Sequence, residues 1–381
     1  MRLILNVDAI SPPLTGIGRY ALELARGVRG NPRVSDVKFF SAYRWVDDPD
    51  QALSANRLLA SIRRSVPLKG LALKAYLAGR DLWFRRSMKG RFGDYLLHSP
   101  NYLLMRHAGP SVVTIHDFSW LHFPEHHPRE RVELMNREMP RVFAEATCFI
   151  TDSEFVRGEV ISIGGVRPDK VYTVPLGVDR AFRPLPVEET APILQRYGLC
   201  GRAYLLAVAT IEPRKNLARL LQAYSTLPVS LRRKHPLVLV GVRGWHTEAI
   251  EQVMAPLLAS GELVVLGYVT EGDLPALYSG AHAFAFVSLH EGFGLPLLEA
   301  MAAGVPCVTS NVSSLPEVGG EAALLVSPEQ VESIREGLIA VLSDEGWRGE
   351  ARLAGLARAA QHSWSACVEN TIDVYERAIA A

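Results

Sequence analysis

One pattern, stated twice, constrains this chain more than any other feature. Short apolar runs rich in β-branched residues alternate with stretches of helical periodicity, as parallel strands buried on both faces alternate with crossover helices. In the first half the strand runs are Leu3–Val7, Val37–Ser41, Tyr95–His98, Val112–Ile115, Cys148–Thr151 and Val171–Val174, with helical patterns such as Tyr20–Val28 and Ser153–Ile163 between them. The alternation then restarts with Tyr204–Ala209, Leu237–Val240, Leu263–Leu266, Ala283–Phe286, Cys307–Thr309 and Ala323–Val326. The predicted class is α/β, with two Rossmann-like doubly wound domains. At 381 residues the chain is long enough for both. Between them, residues 178–195 hold Pro184 and Pro186, few large apolar side chains and no periodicity, and read as a linker. The domains are therefore placed at 1–177 and 196–363. The tail from 344 is helical and could cover either domain; its last segment, around 364–381, is a candidate to pack back on the first. Two such domains facing each other would bring their strand carboxyl ends to a common cleft, where a ligand belongs.

Charge narrows the function. Forty-one Lys and Arg against 40 Asp and Glu give a net +1, which argues against a general nucleic-acid binder. Locally the balance breaks, because residues 51–110 hold eleven Lys or Arg against two acids, a net +9. Within it, Leu68–Phe92 mixes cations with Trp83, Phe84 and Phe92 at helical spacing. That composition suits an interfacial helix on anionic lipid, or equally a packed helix pair with a solvated basic face. Cys148, Cys200, Cys307 and Cys367 lie far apart with no C-x-x-C pair, so neither zinc nor a disulfide framework is indicated and a reducing cytoplasm fits. No apolar run reaches the roughly 18 residues of a membrane span, and none near Met1 suits a signal peptide.

Four places carry candidate chemistry. Ser288–Gly304, S-L-H-E-G-F-G-L-P-L-L-E-A-M-A-A-G, follows a strand, turns on Gly292 and Gly294, and enters a helix with Pro296 in its first turn. Such a turn lets backbone approach a ligand, and the helix start attracts an anion such as diphosphate. Glu291 and Glu299 flank it and can accept hydrogen bonds from sugar hydroxyls. Ile211–Asn216, I-E-P-R-K-N, puts Arg214 and Lys215 at another strand's carboxyl end, where cations are misplaced against a helix dipole unless an anion joins them. His116 and Asp117 close the strand Val112–Ile115. Thr15–Ala21, with Gly16, Gly18 and Arg19, formally satisfies the dinucleotide pattern G-x-G-x-x-A and supports an NAD(P)-dependent oxidoreductase as an alternative. Eight residues, Asp8 to Thr15, separate it from its strand, however, and no acid ends the next one. His122, His126 and His127 share a loop with Pro124 and Pro128 but lack the spacing of a metal set, and no metal or other cofactor is expected.

The spacing E-x7-E from Glu291 to Glu299 resembles the signature of glycosyltransferase family 4, retaining enzymes of GT-B fold that use nucleotide sugars. The resemblance extends through T-G-I-G-R-Y, V-T-I-H-D, I-E-P-R-K-N and G-V-P-C-V-T-S-N-V-S-S-L-P-E-V-G-G, and so spans most of the chain. It implies that Lys215 and Arg214 contact the donor's phosphates, that Glu299 binds the ribose, and that Glu291, Gly292, Phe293, Gly294 and Leu295 hold the donor sugar and diphosphate. His116 would lie beside the sugar, Gly16 and Gly18 over the phosphates, and Asp117 and Arg19 toward the acceptor. Many members carry an arginine where this chain has Ala209 or Thr210, which leaves Thr210 facing the donor. The runs I-E-P-R-K-N and H-D-F-S-W-L-H-F-P-E look most like bacterial mannosyl- and rhamnosyltransferases of O-antigen assembly. The resemblance thus implies a GDP-mannose or GDP-rhamnose donor, a polysaccharide or polyprenyl-linked glycan acceptor, and a cytoplasmic enzyme that touches the inner membrane face through residues 57–92. A non-catalytic nucleotide-sugar-binding protein is the other alternative.

Overall fold

The computed structural model describes residues 1–41, 43–53, 69–88 and 92–381, with 69–78 in backbone only. It contains two compact units. The first comprises Met1–Trp120, Arg129–Gly177 and Trp364–Ala381, and the second Leu121–Pro128 and Val178–Ser363.

Among the described residues the first unit holds strands β1 (Arg2–Asn6), β2 (Asp36–Ser41), β3 (Arg44–Val46), β4 (Leu96–Ser99), β5 (Ser111–Ile115), β6 (Cys148–Thr151) and β7 (Val171–Thr173). They form one sheet in the order β3-β2-β1-β4-β5-β6-β7, parallel except for the β2–β3 hairpin at its edge. The second unit has β8 (Leu205–Val208), β9 (Leu237–Val240), β10 (Leu263–Gly267), β11 (Ala283–Phe286), β12 (Cys307–Ser310) and β13 (Ala323–Val326). Their order is β10-β9-β8-β11-β12-β13, all parallel. Each sheet is wound outward in both directions from its centre, so its switch point lies between β1 and β4 in one unit and between β8 and β11 in the other. In open α/β sheets the carboxyl ends at that point are where ligands bind. Strands such as β5, β9 and β11 are buried along their whole length, which is why they read as continuous apolar runs.

Several local features differ from the sequence reading. Strand β3 is three residues long, too short to show alternation. Residues 178–195 are not wholly irregular, because Val187–Arg196 form a helix with Pro192 inside it. The helix after β1 starts at Gly16, not Tyr20, with the Thr15 hydroxyl accepting from the Gly18 amide at 3.2 Å. The tail is two helices of different allegiance. Glu345–Ala359 packs within the second unit against Leu295–Ala302, and Trp364–Ala380 packs within the first against Gly16–Val28 and the sheet.

Of the basic segment 57–92, residues 57–68 and 89–91 lie outside the described residues. The helix Lys69–Met88 sends Phe84 into the core between Phe40 and Trp45, with ring centroids at 4.9 and 6.0 Å. Trp83 lies 5.6 Å from Phe40, and Phe92 lies 5.1 Å from both Trp45 and Tyr95. Phe84 is thus buried in the first unit's core and Trp83 and Phe92 are partly buried against it, while Leu82, Arg85 and Arg86 are exposed. No helix among the described residues is long and apolar enough to cross a membrane.

The terminal helix is keyed into the first unit by a buried polar chain. Tyr375 Oη lies 2.6 Å from His98 Nδ1, His98 Nε2 lies 2.9 Å from Thr114 Oγ1, and Thr114 Oγ1 lies 2.9 Å from Tyr20 Oη. Burial lowers the His98 imidazole to about 3, so the ring is neutral and uses one nitrogen as donor and the other as acceptor. In the second unit His235, fully buried, stacks on His282 at 4.2 Å between ring centroids, and burial lowers it to about 4.

Both histidines are ordinary imidazoles once unfolded, with pKa near 6.5. Protons therefore bind the unfolded chain first, and the stability these sites retain above pH 6.5 declines as pH falls toward 4. Denaturant titrations between pH 7.5 and 4.5 should show this decline, and His235→Gln should make it shallower in that window.

Candidate active site

The second unit gathers three loops at its switch point. After β8, residues 209–216 end in a turn, Pro213–Lys215, and then Asn216 in left-handed conformation at φ 59°. The Asn216 side chain is buried and donates to the carbonyls of Val287 at 2.9 Å and Pro328 at 2.7 Å. These bonds tie the cationic loop to the end of β11. Sheet pairing of β8 with β11 then sets Arg214 and Lys215 opposite a residue 76 or 77 positions away, Glu291.

Glu291 is held between the two cations. Lys215 Nζ donates to its Oε1 at 2.6 Å and Arg214 Nη1 to its Oε2 at 3.0 Å. Arg214 Nη1 also donates to the His290 carbonyl at 2.6 Å, and Nη2 to Glu212 Oε1 at 3.1 Å. The Glu291 amide donates to Ser313 Oγ at 3.0 Å, while Ser314 Oγ donates to the carbonyls of Glu291 and Phe293. Burial alone would raise the Glu291 carboxyl, but Lys215 and Arg214 outweigh it and hold the group down to about 2. Two cations and two carboxylates thus form a neutral, nearly buried cluster, with the Lys215 ammonium 5.4 Å from the centre of the Phe286 ring. Glu291 is not a solvated loop acid. It aims both cations, and an entering diphosphate would compete with it for their donors.

Gly294 turns the chain from that cluster into the helix Leu295–Ala302 with φ of 105°. A Cβ there would stand 2.7 Å from Leu315 Cδ2, so both the conformation and the space require glycine. Phe293 is buried against His362, with ring centroids 5.7 Å apart. Glu299, one turn into the helix, accepts from the Tyr278 hydroxyl at 3.0 Å. Gly292 and Thr210 belong to these same loops, and Leu295 is the first residue of the helix. The third loop, 241–247, extends the ladder, since Ile211 N donates to the Val242 carbonyl and Gly244 N to that of Ile211. Its Trp245 donates from Nε1 to the His126 carbonyl at 2.5 Å. His127 lies beside Trp245, and His122 lies 5.1 Å from His290 between ring centroids. The histidines of 121–128 are thus packed against the second unit's loops.

The remaining candidates belong to the first unit. His116, at the end of β5, donates from Nε2 to the Pro100 carbonyl at 2.8 Å, and its Nδ1 lies 2.7 Å from Asp152 Oδ2. Asp117 accepts from the amide and hydroxyl of Ser119 at 2.9 and 2.8 Å and so starts the short helix Ser119–His122. Gly16 and Gly18 lie in the first turn of their helix, where a Cβ on Gly18 would meet the Ala9 carbonyl at 2.9 Å. Arg19 follows them on the same turn and is partly exposed.

Sequence reasoning did not single out Glu212, Asn216, Ser313, Tyr278 or Asp152. Glu212 and Asn216 are letters of the I-E-P-R-K-N run, where an acid among cations was a usable signal. Tyr278 carried none, because a tyrosine in an apolar helix reads as core.

Paired cations at a switch point, a carboxylate that aims them and a glycine turn into a helix lie together on a doubly wound sheet, an arrangement whose chemistry suits an anionic ligand. Residues 14–182 match the family described as Glycosyltransferase Family 4, residues 196–360 match Glycosyl transferases group 1, and the chain belongs to these glycosyltransferases. It is 38% identical to the O-antigen chain mannosyltransferase B of Escherichia coli over 384 residues, covering 99% of this chain and 100% of that one. Over 239 residues it is 34% identical to the serotype-specific mannosyltransferase WbdA of Escherichia coli, covering 62% of this chain and 29% of WbdA. Its fold is GT-B. A sucrose-phosphate synthase from Thermosynechococcus elongatus superposes with a TM-score of 0.79 at 19% identity, covering 100% of this chain and 99% of that one.

Asn216→Ala removes two buried donors and should cost about 2 kcal/mol of stability by leaving two carbonyls unpaired. Because the same bonds seat Arg214 and Lys215, transfer should fall more than tenfold at temperatures where the variant is still folded, as circular dichroism and a sugar-transfer assay would measure together.

Proposed function

We propose that this glycosyltransferase moves a mannosyl unit from a GDP-linked donor, with retention of anomeric configuration, to a hydroxyl of a lipid-linked O-antigen glycan. The observation that carries the reading is the Arg214–Lys215–Glu291 cluster at the β8–β11 switch point, beside the glycine turn. With Glu212 it is a neutral set of aimed cations and carboxylates, in which a diphosphate can replace Glu291 as the cations' partner. Mannose and the O-antigen acceptor are supported by the full-length likeness to the O-antigen chain mannosyltransferase B.

In this mechanism Lys215 and Arg214 bind the diphosphate and stabilise the negative charge that develops as the sugar–phosphate bond breaks. The amides at the start of Leu295–Ala302 add the helix's field. The acceptor hydroxyl attacks from the face the phosphate leaves and passes its proton to a departing β-phosphate oxygen, so the protein's contribution is placement and electrostatics. Glu299 binds the ribose hydroxyls, with Tyr278 fixing its carboxylate. His116 donates to a hydroxyl of the donor sugar. No metal is assigned a step. The acceptor's lipid end is met by the basic segment 57–92, through its cations, since Phe84 is buried and Trp83 and Phe92 are partly buried against the first unit's core.

Lys215→Ala and Glu299→Ala should each lower turnover more than tenfold with the fold intact. Near-normal transfer by both variants would defeat the site assignment. In a thermal-shift series GDP should raise the melting temperature more than UDP or ADP. For the membrane contact, sedimentation with vesicles should show binding to phosphatidylglycerol that is lost in about 0.5 M salt and is absent with phosphatidylcholine alone. Equal binding to both lipids would remove the electrostatic role.

A further inference from the structure

One buried ionisable pair does more in the structure than its place in that mechanism requires. His116 and Asp152 stand at the carboxyl ends of the adjacent strands β5 and β6, with side chains only 7% and 3% exposed. The Pro100 carbonyl can only accept, so His116 Nε2 carries a proton. The open question is the proton between Nδ1 and Asp152 Oδ2, 2.7 Å apart. On Nδ1 it makes an imidazolium–carboxylate pair. On Asp152 it leaves both groups neutral.

Burial raises the Asp152 carboxyl and so works against the charged pair, while several neighbours work for it. Asp152 immediately precedes Ser153, the N-cap of the helix Glu154–Gly164, where the helix's field stabilises an anion. Asp117, next to His116 in the chain, brings a second carboxylate near the ring. Tyr20, on the helix Gly16–Val28, and Tyr102 stand T-shaped to the imidazole at 5.4 and 5.6 Å. Their hydroxyls are engaged with Thr114 and the Asp117 amide, not with the His116 nitrogens. His98 on β4 is neutral and so brings no competing cation, and the Cys367 thiol of the terminal helix is kept protonated by burial. Burial of His116 opposes its charge, but Asp152, Pro100 and Asp117 together raise the imidazole above its ordinary value.

We propose that Asp152 is a positioning residue that keeps His116 doubly protonated, so that His116 acts in the transfer as a fixed hydrogen-bond donor and positive charge and never as a base. The Nε2 proton is donated to the Pro100 carbonyl, and a sugar oxygen would share it as a second acceptor. This use in transfer rests on the donor-sugar contact proposed above, whereas the charge state does not.

The test is nitrogen-15 spectroscopy of the histidine rings in the full-length protein, with His116 assigned among the 11 histidines by the signals lost in His116→Gln. Both His116 nitrogens should show protonated shifts from pH 6 to 8.5. An unprotonated His116 nitrogen in the wild type at pH 7 overturns the proposal, whether or not any Asp152 variant folds. Asp152→Asn removes the negative charge and can offer an N–H to Nδ1, and burial then works against the imidazolium, so His116 should show an unprotonated Nδ1 from pH 6 to 8.5. The transfer rate of this variant should lie at least tenfold below that of the wild type at pH 7.5. If Asp152→Asn keeps the doubly protonated signature to pH 8.5, Asp152 is not what holds the charge and the proposal fails. If His116 is doubly protonated in the wild type and loses the signature in Asp152→Asn, while His116→Gln transfers at the wild-type rate, the charge assignment stands and the sugar contact is what falls.

Discussion

A buried carboxylate shared by two cations is the interaction on which the second unit's loops depend. Arg214 and Lys215 sit close together at one strand end, and without a counter-charge their repulsion and desolvation would splay the turn Pro213–Lys215. Glu291 supplies the counter-charge from the end of a neighbouring strand, and Glu212 balances the rest. The cluster therefore needs no ligand to stay folded. Its donors also remain directed at one point, which is what a site must retain if binding is not to begin with a rearrangement. Removing either kind of charge alone would leave the other buried and uncompensated, so the four side chains stand or fall together.

Asn216 and the serines after β12 give this electrostatic arrangement its geometry. Asn216 adopts a left-handed conformation that few residues other than glycine tolerate, and its amide spans two carbonyls from separate elements. Ser313, at φ 55°, is held the same way and accepts the Glu291 amide proton. Positive-φ residues on both sides of the ion cluster indicate local backbone strain stored at the place that must be most exact in position.

Much of this was legible from residue order. Parallel strands covered on both faces must be apolar throughout, so β5, β9 and β11 announce themselves, and the α/β class follows from their alternation with helices. The glycine turn at 292–294 and the cation pair after β8 were visible for the same reason, since each breaks an apolar pattern at a strand's end. What was not visible depends on distance along the chain. Nothing local says that Lys215 and Glu291 meet, because only the β8–β11 pairing brings them together, and Glu291 therefore read as an acceptor for sugar hydroxyls and not as the cations' partner. The helix Val187–Arg196 was hidden by Pro186 and Pro192, the first of which precedes the helix, where it is tolerated, and the second of which lies inside it. Strand β3 is too brief for periodicity to register.

The terminal helix could be read only as a candidate to pack back on the first domain, because an amphipathic stripe does not name its destination. That destination bears on how the molecule comes into being. Strands β4, β5 and β6 leave the ribosome long before Trp364–Ala380, yet the helix supplies Tyr375 to His98 and shelters one face of their sheet. The lobe synthesised first is thus completed last, and during translation it must wait, partly uncovered, while nearly all of the other lobe, Val178–Ser363, is made.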